Sequence, residues 1–311
     1  MRIVFHIGFR RTGSTFLQKY IFPLHKNLNF IGLKNYNNWS DIKVSQEDFF
    51  NLKNKEINNL AFKFEDDKNN IISSEFFSSH VNYPNNFDEI KILEKTLKNK
   101  FNYIEIDFLV VLRNQYELIK SLYFHTYPNI SKNLGVFEFK KLVNNFDKNL
   151  HEIKNQQIVK FIKSFDYLEI YSLIKKNFPD AKVKFLFFSD FSKKNKNFIE
   201  EFSEFLNVDL AYTTSLFNQG SKINQSKKNK GEILYTSRWR YFLSKYQLIQ
   251  KIKSILPKSI LNILSSFGVR KYDLSNDEEE MMKKKIMSFY KYKNKMFFEK
   301  TKLPFNYLNF F

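Results

Sequence analysis

The chain has 311 residues, of which 43% are hydrophobic and 18% aromatic, so it can bury a sizeable core and global disorder is excluded. It contains no cysteine, which excludes disulfides, zinc–thiolate sites and thiol nucleophiles. Its 51 basic and 32 acidic residues give a formal net charge of +19, a balance typical of proteins that bind nucleic acid, acidic membrane faces or anionic ligands.

Strands and helices are predicted to alternate over the first two thirds of the chain. Short apolar runs rich in β-forming residues predict strands at 3–7, 30–33, 70–74, 107–112 and 182–188. Helical spacing of apolar residues predicts helices at 15–22, 87–100, 116–127, 137–146, 153–178 and 197–206. This order predicts an α/β fold, in which a central parallel sheet lies between layers of helices and the crossovers are right-handed.

The character of the sequence changes near residue 217. A loop rich in Ser, Asn and Lys is predicted at 218–231, and helices are predicted at 232–256 and 276–300. We therefore expect one domain over 1–230 and a helical C-terminal extension over 231–311, packed on the same domain.

Membrane contact is open to two interpretations. Residues 238–264 contain a basic amphipathic stretch, which either packs on its own domain or rests on an acidic membrane surface. The N-terminal residues predict a strand rather than a signal segment, and no run reaches the ~18 apolar residues needed to cross a bilayer. We expect a cytoplasmic protein, at most peripheral to the inner membrane face.

The segment that joins the first predicted strand to the first helix has the composition of a phosphate-binding loop. It matches the pattern G-x-x-x-x-G-K-[ST] at Gly8, Gly13 and Thr15. Ser14 stands where the pattern has a lysine that reaches the β- and γ-phosphates, which argues against a P-loop kinase. Arg10 and Arg11 lie earlier in the loop, where they suit a shorter anion. A glycine turn with no ligand is the alternative.

A second candidate anion contact follows the strand predicted at 107–112. Arg113 comes directly after it, and Ser121 lies about two helical turns further on. Ligands of open α/β sheets bind at the carboxyl ends of the strands, and an arginine with a hydroxyl suits a phosphate monoester. Taken alone, Arg113 could equally form an ordinary salt bridge.

A candidate general base follows the strand predicted at 70–74. Glu75 is expected at the same sheet edge as the two anion motifs, where it either takes a proton from an acceptor or caps a helix. His80 is the reserve candidate, and His6 is expected to be a packed core residue. The five histidines show no metal-ligand spacing, so we expect no metal.

Together the motifs resemble those of the sulfotransferases that use 3′-phosphoadenosine 5′-phosphosulfate (PAPS). Residues 8–18 resemble the family's 5′-phosphosulfate loop, Lys-[Thr/Ser]-Gly-[Thr/Ser]-Thr, with arginine in place of the lysine. Residues 113–123 resemble its 3′-phosphate motif, Arg-[Asn/Asp]-Pro-x-x-x-x-x-Ser-x-Tyr, with Gln115 in place of the proline. The resemblance implies a P-loop-like three-layer sandwich.

The resemblance also implies roles for individual residues. Arg11 takes the place of the family's lysine, which stabilises the bridging oxygen of PAPS, and Glu75 matches the catalytic glutamate of carbohydrate sulfotransferases. The predicted PAPS contacts are Arg10, Arg11, Thr12, Gly13, Ser14, Thr15, Arg113 and Ser121. A later loop resembles the segment that closes over the nucleotide, so Lys222 and Asn224 are expected there, unless the loop is simply solvated.

The implied reaction transfers a sulfuryl group to a hydroxyl or amine of an acceptor, which we expect to be a glycan, a glycolipid or a small hydroxylated molecule. A basic nucleic-acid-binding protein is the alternative that the charge suggests. Lysine supplies most of that charge, and Lys, Asn, Ile and Phe are all abundant, which indicates drift towards A/T-rich codons. A surface selected to bind nucleic acid would favour arginine, so we expect no specific nucleic-acid partner.

Overall fold

The computed structural model describes most of the chain. The described residues are 1–9, 11–31, 64–74, 86–99, 101, 103–126, 129–136, 138–193, 196–221, 234–237, 269–272 and 274–304. They fall into two compact units, one comprising Met1–Arg113 and Asp166–Lys227, the other Asn114–Phe165 and Lys228–Phe311. Residues 114–165 thus cluster with the C-terminal residues, while the functional division at residue 230 stays a prediction.

The first unit contains a five-stranded sheet and its helices. Its strands are β1 (Arg2–Gly8), β2 (Leu28–Ile31), β3 (Asn69–Ser74), β4 (Glu105–Leu112) and β5 (Val183–Phe187). Its helices are α1 (Ser14–Phe16), α2 (Asn86–Lys98), α7 (Tyr167–Asn177), α8 (Phe188–Ser192), α9 (Lys196–Leu206) and α10 (Leu210–Ser221). A π-helical turn, Leu17–Ile21, continues α1.

All five strands are parallel, in the order β2-β3-β1-β4-β5, so the predicted α/β fold is confirmed. β1 lies at the centre because residues 3–7 are fully buried, as expected for a parallel strand covered on both faces. The chain leaves β1 towards the edge strand β2, but leaves β4 towards β5 on the other side. These diverging connections open a crevice at the carboxyl ends of β1 and β4, where such sheets bind ligands.

Aromatic packing holds helices against both faces of the sheet. On one face Phe22 of the first helical segment stacks on Phe202 of α9, and Phe217 of α10 joins the same buried cluster. On the other face Phe108 of β4 packs on Phe178, which follows α7. The three-layer arrangement follows from strands that alternate large apolar residues between the two faces.

The second unit is mainly helical. Its helices are α3 (Gln115–Thr126), α4 (Asn129–Leu134), α5 (Phe139–Val143), α6 (Gln156–Lys163) and α11 (Asn276–Thr301). Short 3₁₀ turns lie at Asn144–Asp147 and Leu150–Glu152, and two strands, β6 (Leu234–Ser237) and β7 (Val269–Tyr272), pair antiparallel.

The C-terminal helix α11 agrees with its prediction and begins at a capping box formed by Ser275 and Glu278. Its buried stripe includes one polar residue, Asn294, which pairs with the buried Gln115 at the start of α3. Gln115 Nε2 donates to Asn294 Oδ1 (2.8 Å), and Asn294 Nδ2 donates to Gln115 Oε1 (3.2 Å). Gln115 therefore joins the start of α3 to the last helix.

Three predicted elements differ from the structure. The helix expected over 153–178 is two helices, because Asp166 Oδ1 accepts from the amide of Glu169 and starts a new helix there. The helix expected from 232 was wrong at its start, since β-forming residues at 234–237 pair with residues 269–272. The loop expected at 218–231 was wrong at its start, because α10 continues to Ser221.

Over the residues that the structure describes, no helix is both long and apolar enough to cross a bilayer. The basic stretch at 238–264 lies outside the described residues, so its contact with a membrane or with its own domain stays a prediction.

Candidate functional site

We call residues 9–13, which follow β1, the β1 loop; the structure describes all of them except residue 10. Several hydrogen bonds of the described residues meet at a single carbonyl group. The amide and the hydroxyl of Thr12 both donate to the carbonyl of Phe9, at 3.3 and 2.6 Å. The hydroxyl of Ser14 donates to the same oxygen at 3.1 Å. Arg11 and Gly13 adopt left-handed backbone angles, with φ of 73° and 83°, in a local geometry of the kind that gathers backbone N–H groups around anions.

Both glycines of the motif are required by close approach. A Cβ atom at Gly8 would lie 2.2 Å from Ser14 Oγ, so β1 and α1 meet there without room for a side chain. A Cβ atom at Gly13 would lie 2.6 Å from the ring of Phe191, and its positive φ further disfavours other residues. The spacing of the glycines in the sequence therefore reflects the packing of this loop.

Arg113 reaches the β1 loop from the end of the neighbouring strand. Its Nη1 donates to the carbonyl of Arg11 at 2.9 Å, and its guanidinium lies over the ring of Phe188, 4.9 Å from the centroid. Arg113, the first residue of the second motif, thus lies against the β1 loop at the carboxyl ends of β1 and β4, as expected for ends of adjacent parallel strands.

The backbone of Arg113 is held by a buried tyrosine of α7. The hydroxyl of Tyr167 donates to the carbonyl of Arg113 at 2.5 Å and lies 3.4 Å from its amide nitrogen. Burial raises the pKa of Tyr167, so the hydroxyl stays protonated and keeps donating at every physiological pH. This contact stabilises the position from which the arginine reaches the loop.

A second group of polar residues lies where β1, β3 and the π-helical turn meet. His6 of β1 is fully buried, as expected, and its Nδ1 lies 2.6 Å from Ser73 Oγ of β3. Gln18 of the π-helical turn donates its Nε2 to the same Oγ at 2.9 Å. Burial lowers the pKa of His6 from 6.5 to about 3, so the imidazole is neutral.

The predicted site residues differ in their exposure and in their hydrogen bonds. Arg11 is exposed, whereas Thr12 and Ser14 are buried and use their hydroxyls within the loop. Thr15 is half-buried in α1, and Ser121 is half-buried in α3 of the second unit. Five further predicted residues lie outside the described part of the chain: Arg10, Glu75, His80, Lys222 and Asn224. Their roles, and the pairing of Ser121 with Arg113, stay predictions.

Several contacts of the site were not predicted from the sequence. Tyr167, Phe188 and Phe191 support Arg113 and Gly13 from positions more than 50 residues away along the chain. No local pattern singles out Tyr167. Residues 188–191 resemble a mainly structural segment of the sulfotransferases, but that resemblance does not show that Phe188 and Phe191 contact Arg113 and Gly13. Within the described ranges, no group of His, Asp and Glu side chains could hold a metal ion.

Comparisons with known proteins add little. No family model matches the chain, and no curated protein matches it. Among solved structures, a sulfotransferase from Alicyclobacillus acidocaldarius is similar, with 14% identity and a TM-score of 0.40 over 67% of this chain and 81% of that chain. A likeness this distant identifies neither an activity nor a substrate.

Proposed function

We propose that the protein is a sulfotransferase that uses PAPS as its donor and transfers the sulfuryl group to a hydroxyl or amine of an acceptor. The observation that carries the proposal is the 2.9 Å hydrogen bond from Arg113 Nη1 to the carbonyl of Arg11. It joins the two motifs that resemble the 5′-phosphosulfate loop and the 3′-phosphate motif. A molecule with anionic groups at two ends, such as PAPS, suits such a paired site.

The local structure of the β1 loop fits an anion of this kind. The loop carries an exposed arginine, two left-handed positions and two glycines that leave no room for side chains. An arginine has five N–H donors in a planar fork, so a bond from Arg113 to one carbonyl is compatible with further bonds to a phosphate.

A kinase reaction fits less well. Ser14, which replaces the lysine of nucleoside-triphosphate loops, is buried and donates to the carbonyl of Phe9. No cation can therefore reach a γ-phosphate from this position, and the loop carries its basic residues, Arg10 and Arg11, earlier in the sequence instead. A loop of this design suits the shorter phosphosulfate.

Each predicted site residue would have a separate role in the reaction. Bound PAPS would supply the activated sulfuryl group. Arg11 would neutralise negative charge that develops on the departing phosphate, and Arg113 with Ser121 would hold the 3′-phosphate. Glu75, the next residue after the end of β3, would accept the proton of the attacking hydroxyl, with His80 in reserve. The acceptor proposed is a carbohydrate or glycolipid, on the resemblance of Glu75 to the base of carbohydrate sulfotransferases.

Calorimetry with 3′-phosphoadenosine 5′-phosphate, the product nucleotide, tests this proposal. We expect Arg113→Gln to weaken its binding about 10- to 100-fold, since a hydrogen bond to a charged group contributes about 1.5–3 kcal/mol. The same substitution should weaken the binding of adenosine 5′-phosphate much less, because that nucleotide lacks the 3′-phosphate. Lys26→Gln serves as the control. It removes the same charge just before the amino end of β2, whereas Arg113 follows the carboxyl end of β4. Absence of nucleotide binding by the unmodified protein would refute the proposal.

A further inference from the structure

A partly buried polar cluster, in which His6 is fully buried, lies where β1, β3 and the first helical segment meet. It consists of His6, Ser73 and Gln18, and we call it the Ser73 cluster because both other side chains contact Ser73 Oγ, at 2.6 and 2.9 Å. His6 and Ser73 are register partners in the sheet. The cluster therefore ties together three elements through one hydroxyl.

The cluster lies close to the junction of β1 and α1. A Cβ atom on Gly8 would lie 3.0 Å from His6 Cε1 and 2.2 Å from Ser14 Oγ, so the imidazole and the first residue of α1 both pack against Gly8, the last residue before the β1 loop. Ser14 and Gln18 are four residues apart, which places both side chains on the face of the helical segment that meets the sheet. Ser14 braces the loop, and Gln18 reaches β3.

The hydrogen bonds determine the tautomer of His6. Ser73 Oγ accepts from Gln18, so its own proton is best donated to His6 Nδ1, and the imidazole then carries its proton on Nε2. This assignment follows from the hydrogen-bond network. Because the ring is neutral and fully buried, it acts as a fixed acceptor at Nδ1 rather than as an acid or base.

The cluster is costly if its purpose is packing alone. Within the described part of the chain, Nε2 of His6 has no hydrogen-bond partner although the ring is buried. A buried polar group without a partner costs about 1–3 kcal/mol, which an apolar residue of similar size would avoid. Gln18 also lies in a π-helical turn, a feature that is frequent at functional sites.

The three elements that the cluster connects are those that the proposed reaction uses. β1 leads into the β1 loop, the first helical segment carries Ser14 and Thr15, and β3 ends one residue before Glu75. In-line transfer requires the bound anion and the base to keep a fixed separation, and a misplacement of about 1 Å can reduce the rate about 100-fold.

We propose that His6, Ser73 and Gln18 are positioning residues, which hold the β1 loop against the carboxyl end of β3 so that the donor anion and the base stay aligned. The inference rests on the proposed sulfotransferase function. It assigns none of the three residues a contact with the substrate or with the reacting atoms.

The sharpest test replaces Ser73 by two residues of nearly equal shape, threonine and valine, of which only threonine keeps the hydroxyl. Sulfate transfer from PAPS to a pool of oligosaccharides is measured together with calorimetric binding of 3′-phosphoadenosine 5′-phosphate. We expect Ser73→Val to lower kcat about 10- to 100-fold with nucleotide affinity within about 3-fold, and Ser73→Thr to restore most of the rate. Gln18→Met, which keeps length but removes the donor, should act like Ser73→Val.

The control is a buried amide pair at the other end of the same sheet, where Asn29 Nδ2 of β2 donates to Asn70 Oδ1 of β3 at 2.7 Å. Asn29→Leu should lower the Tm but leave kcat within about 2-fold, because its loss is purely structural. If Ser73→Val keeps the full kcat, or loses rate only in proportion to folded protein and is not restored by threonine, the positioning role is refuted.

Failure of the two proposals can be told apart. An unmodified protein that neither binds the nucleotide nor transfers sulfate removes the proposed function, and the positioning role with it. An active unmodified protein whose Ser73→Val and Gln18→Met variants are equally active removes the positioning role alone.

Discussion

At the scale of single residues, the candidate site depends on two residues, Arg113 and Gly13, that contact residues distant in the chain. Arg113 is held at its backbone by Tyr167 and at its side chain by the carbonyl of Arg11 and the ring of Phe188. Gly13 is held by its left-handed backbone and by Phe191. Substitutions at these positions therefore test backbone and packing effects separately.

Gly13→Ala should destabilise the protein by more than the backbone effect alone. A left-handed alanine costs about 1–2 kcal/mol, and the added methyl group would also meet the Phe191 ring. Each kcal/mol lowers the Tm by about 2–4 °C in a domain of this size, so scanning calorimetry can measure the loss.

Phe191→Leu in the Gly13→Ala background should recover the part of this loss that comes from the clash. A double-mutant cycle showing no coupling between the two positions would contradict the packing explanation.

His6 should make stability depend on pH. Below pH 6.5 the unfolded chain protonates this histidine, whereas the folded protein does not until its pKa of about 3. Its contribution is therefore complete above pH 6.5 and is lost as the pH falls towards 3, by about 1.4 kcal/mol per pH unit.

Urea denaturation at pH 7, 6 and 5 measures this effect as a difference from His6→Asn, which cannot titrate. The unmodified protein should lose about 2 kcal/mol more than the variant between pH 7 and 5. Parallel pH dependence in the two proteins would mean that the folded imidazole titrates normally.

At the scale of elements, the paired amides of Gln115 and Asn294 join the start of α3 to the C-terminal helix α11. Gln115 is the first residue of α3, a position where proline is well tolerated because its missing N–H is not needed. Replacing Gln115 by proline would therefore remove the paired hydrogen bonds with Asn294 and introduce the residue that is typical of the resembled family.

Gln115→Pro should cost about 1–3 kcal/mol, because it leaves the buried amide of Asn294 unpaired. Adding Asn294→Leu should recover much of that loss, since the unpaired group is then removed. Chemical denaturation of both single variants and the double variant gives the coupling; additive losses would show that the amides do not stabilise each other.

The elements also show how far the sequence predicts this structure. For all five strands of the sheet, the predicted ends lie within two residues of the observed ends. Buried parallel strands are predictable in this way because they are short apolar runs bounded by polar residues. The break near Asp166 was missed because a cap competes with an otherwise continuous helical period. The β6–β7 pair was missed because its partners are remote in the chain.

For the candidate site, the sequence predicted where the β1 loop and Arg113 lie but not the contacts that support them. The glycine spacing predicted the β1 loop, and Arg113 predicted the end of the neighbouring strand. Such positions can be recognised locally, because a backbone without room for a side chain requires glycine. The support from Tyr167 and Phe188, and the hydrogen bonds around Ser73, arise only when distant segments pack. Tertiary contacts of this kind have no periodic or motif signal.

At the scale of the whole molecule, the net charge of +19 has a testable meaning. If the charge results from compositional drift, nucleic acid should bind only through weak phosphate contacts, whose strength falls steeply with salt. We expect binding to duplex DNA to disappear between about 50 and 200 mM salt, while 3′-phosphoadenosine 5′-phosphate still binds. Fluorescence anisotropy at several salt concentrations measures both, and tight DNA binding at 200 mM that survives Arg113→Gln would contradict this view.

The hydrogen bond from Arg113 to the carbonyl of Arg11 has a consequence for the order of events at this crevice. A main-chain oxygen occupies one N–H group of the guanidinium, as a ligand oxygen would. Under the proposed function, a nucleotide that binds here would share or displace this carbonyl oxygen, and the carbonyl would return to the same N–H group when the nucleotide leaves. Product release would then leave that N–H group with a hydrogen-bond partner.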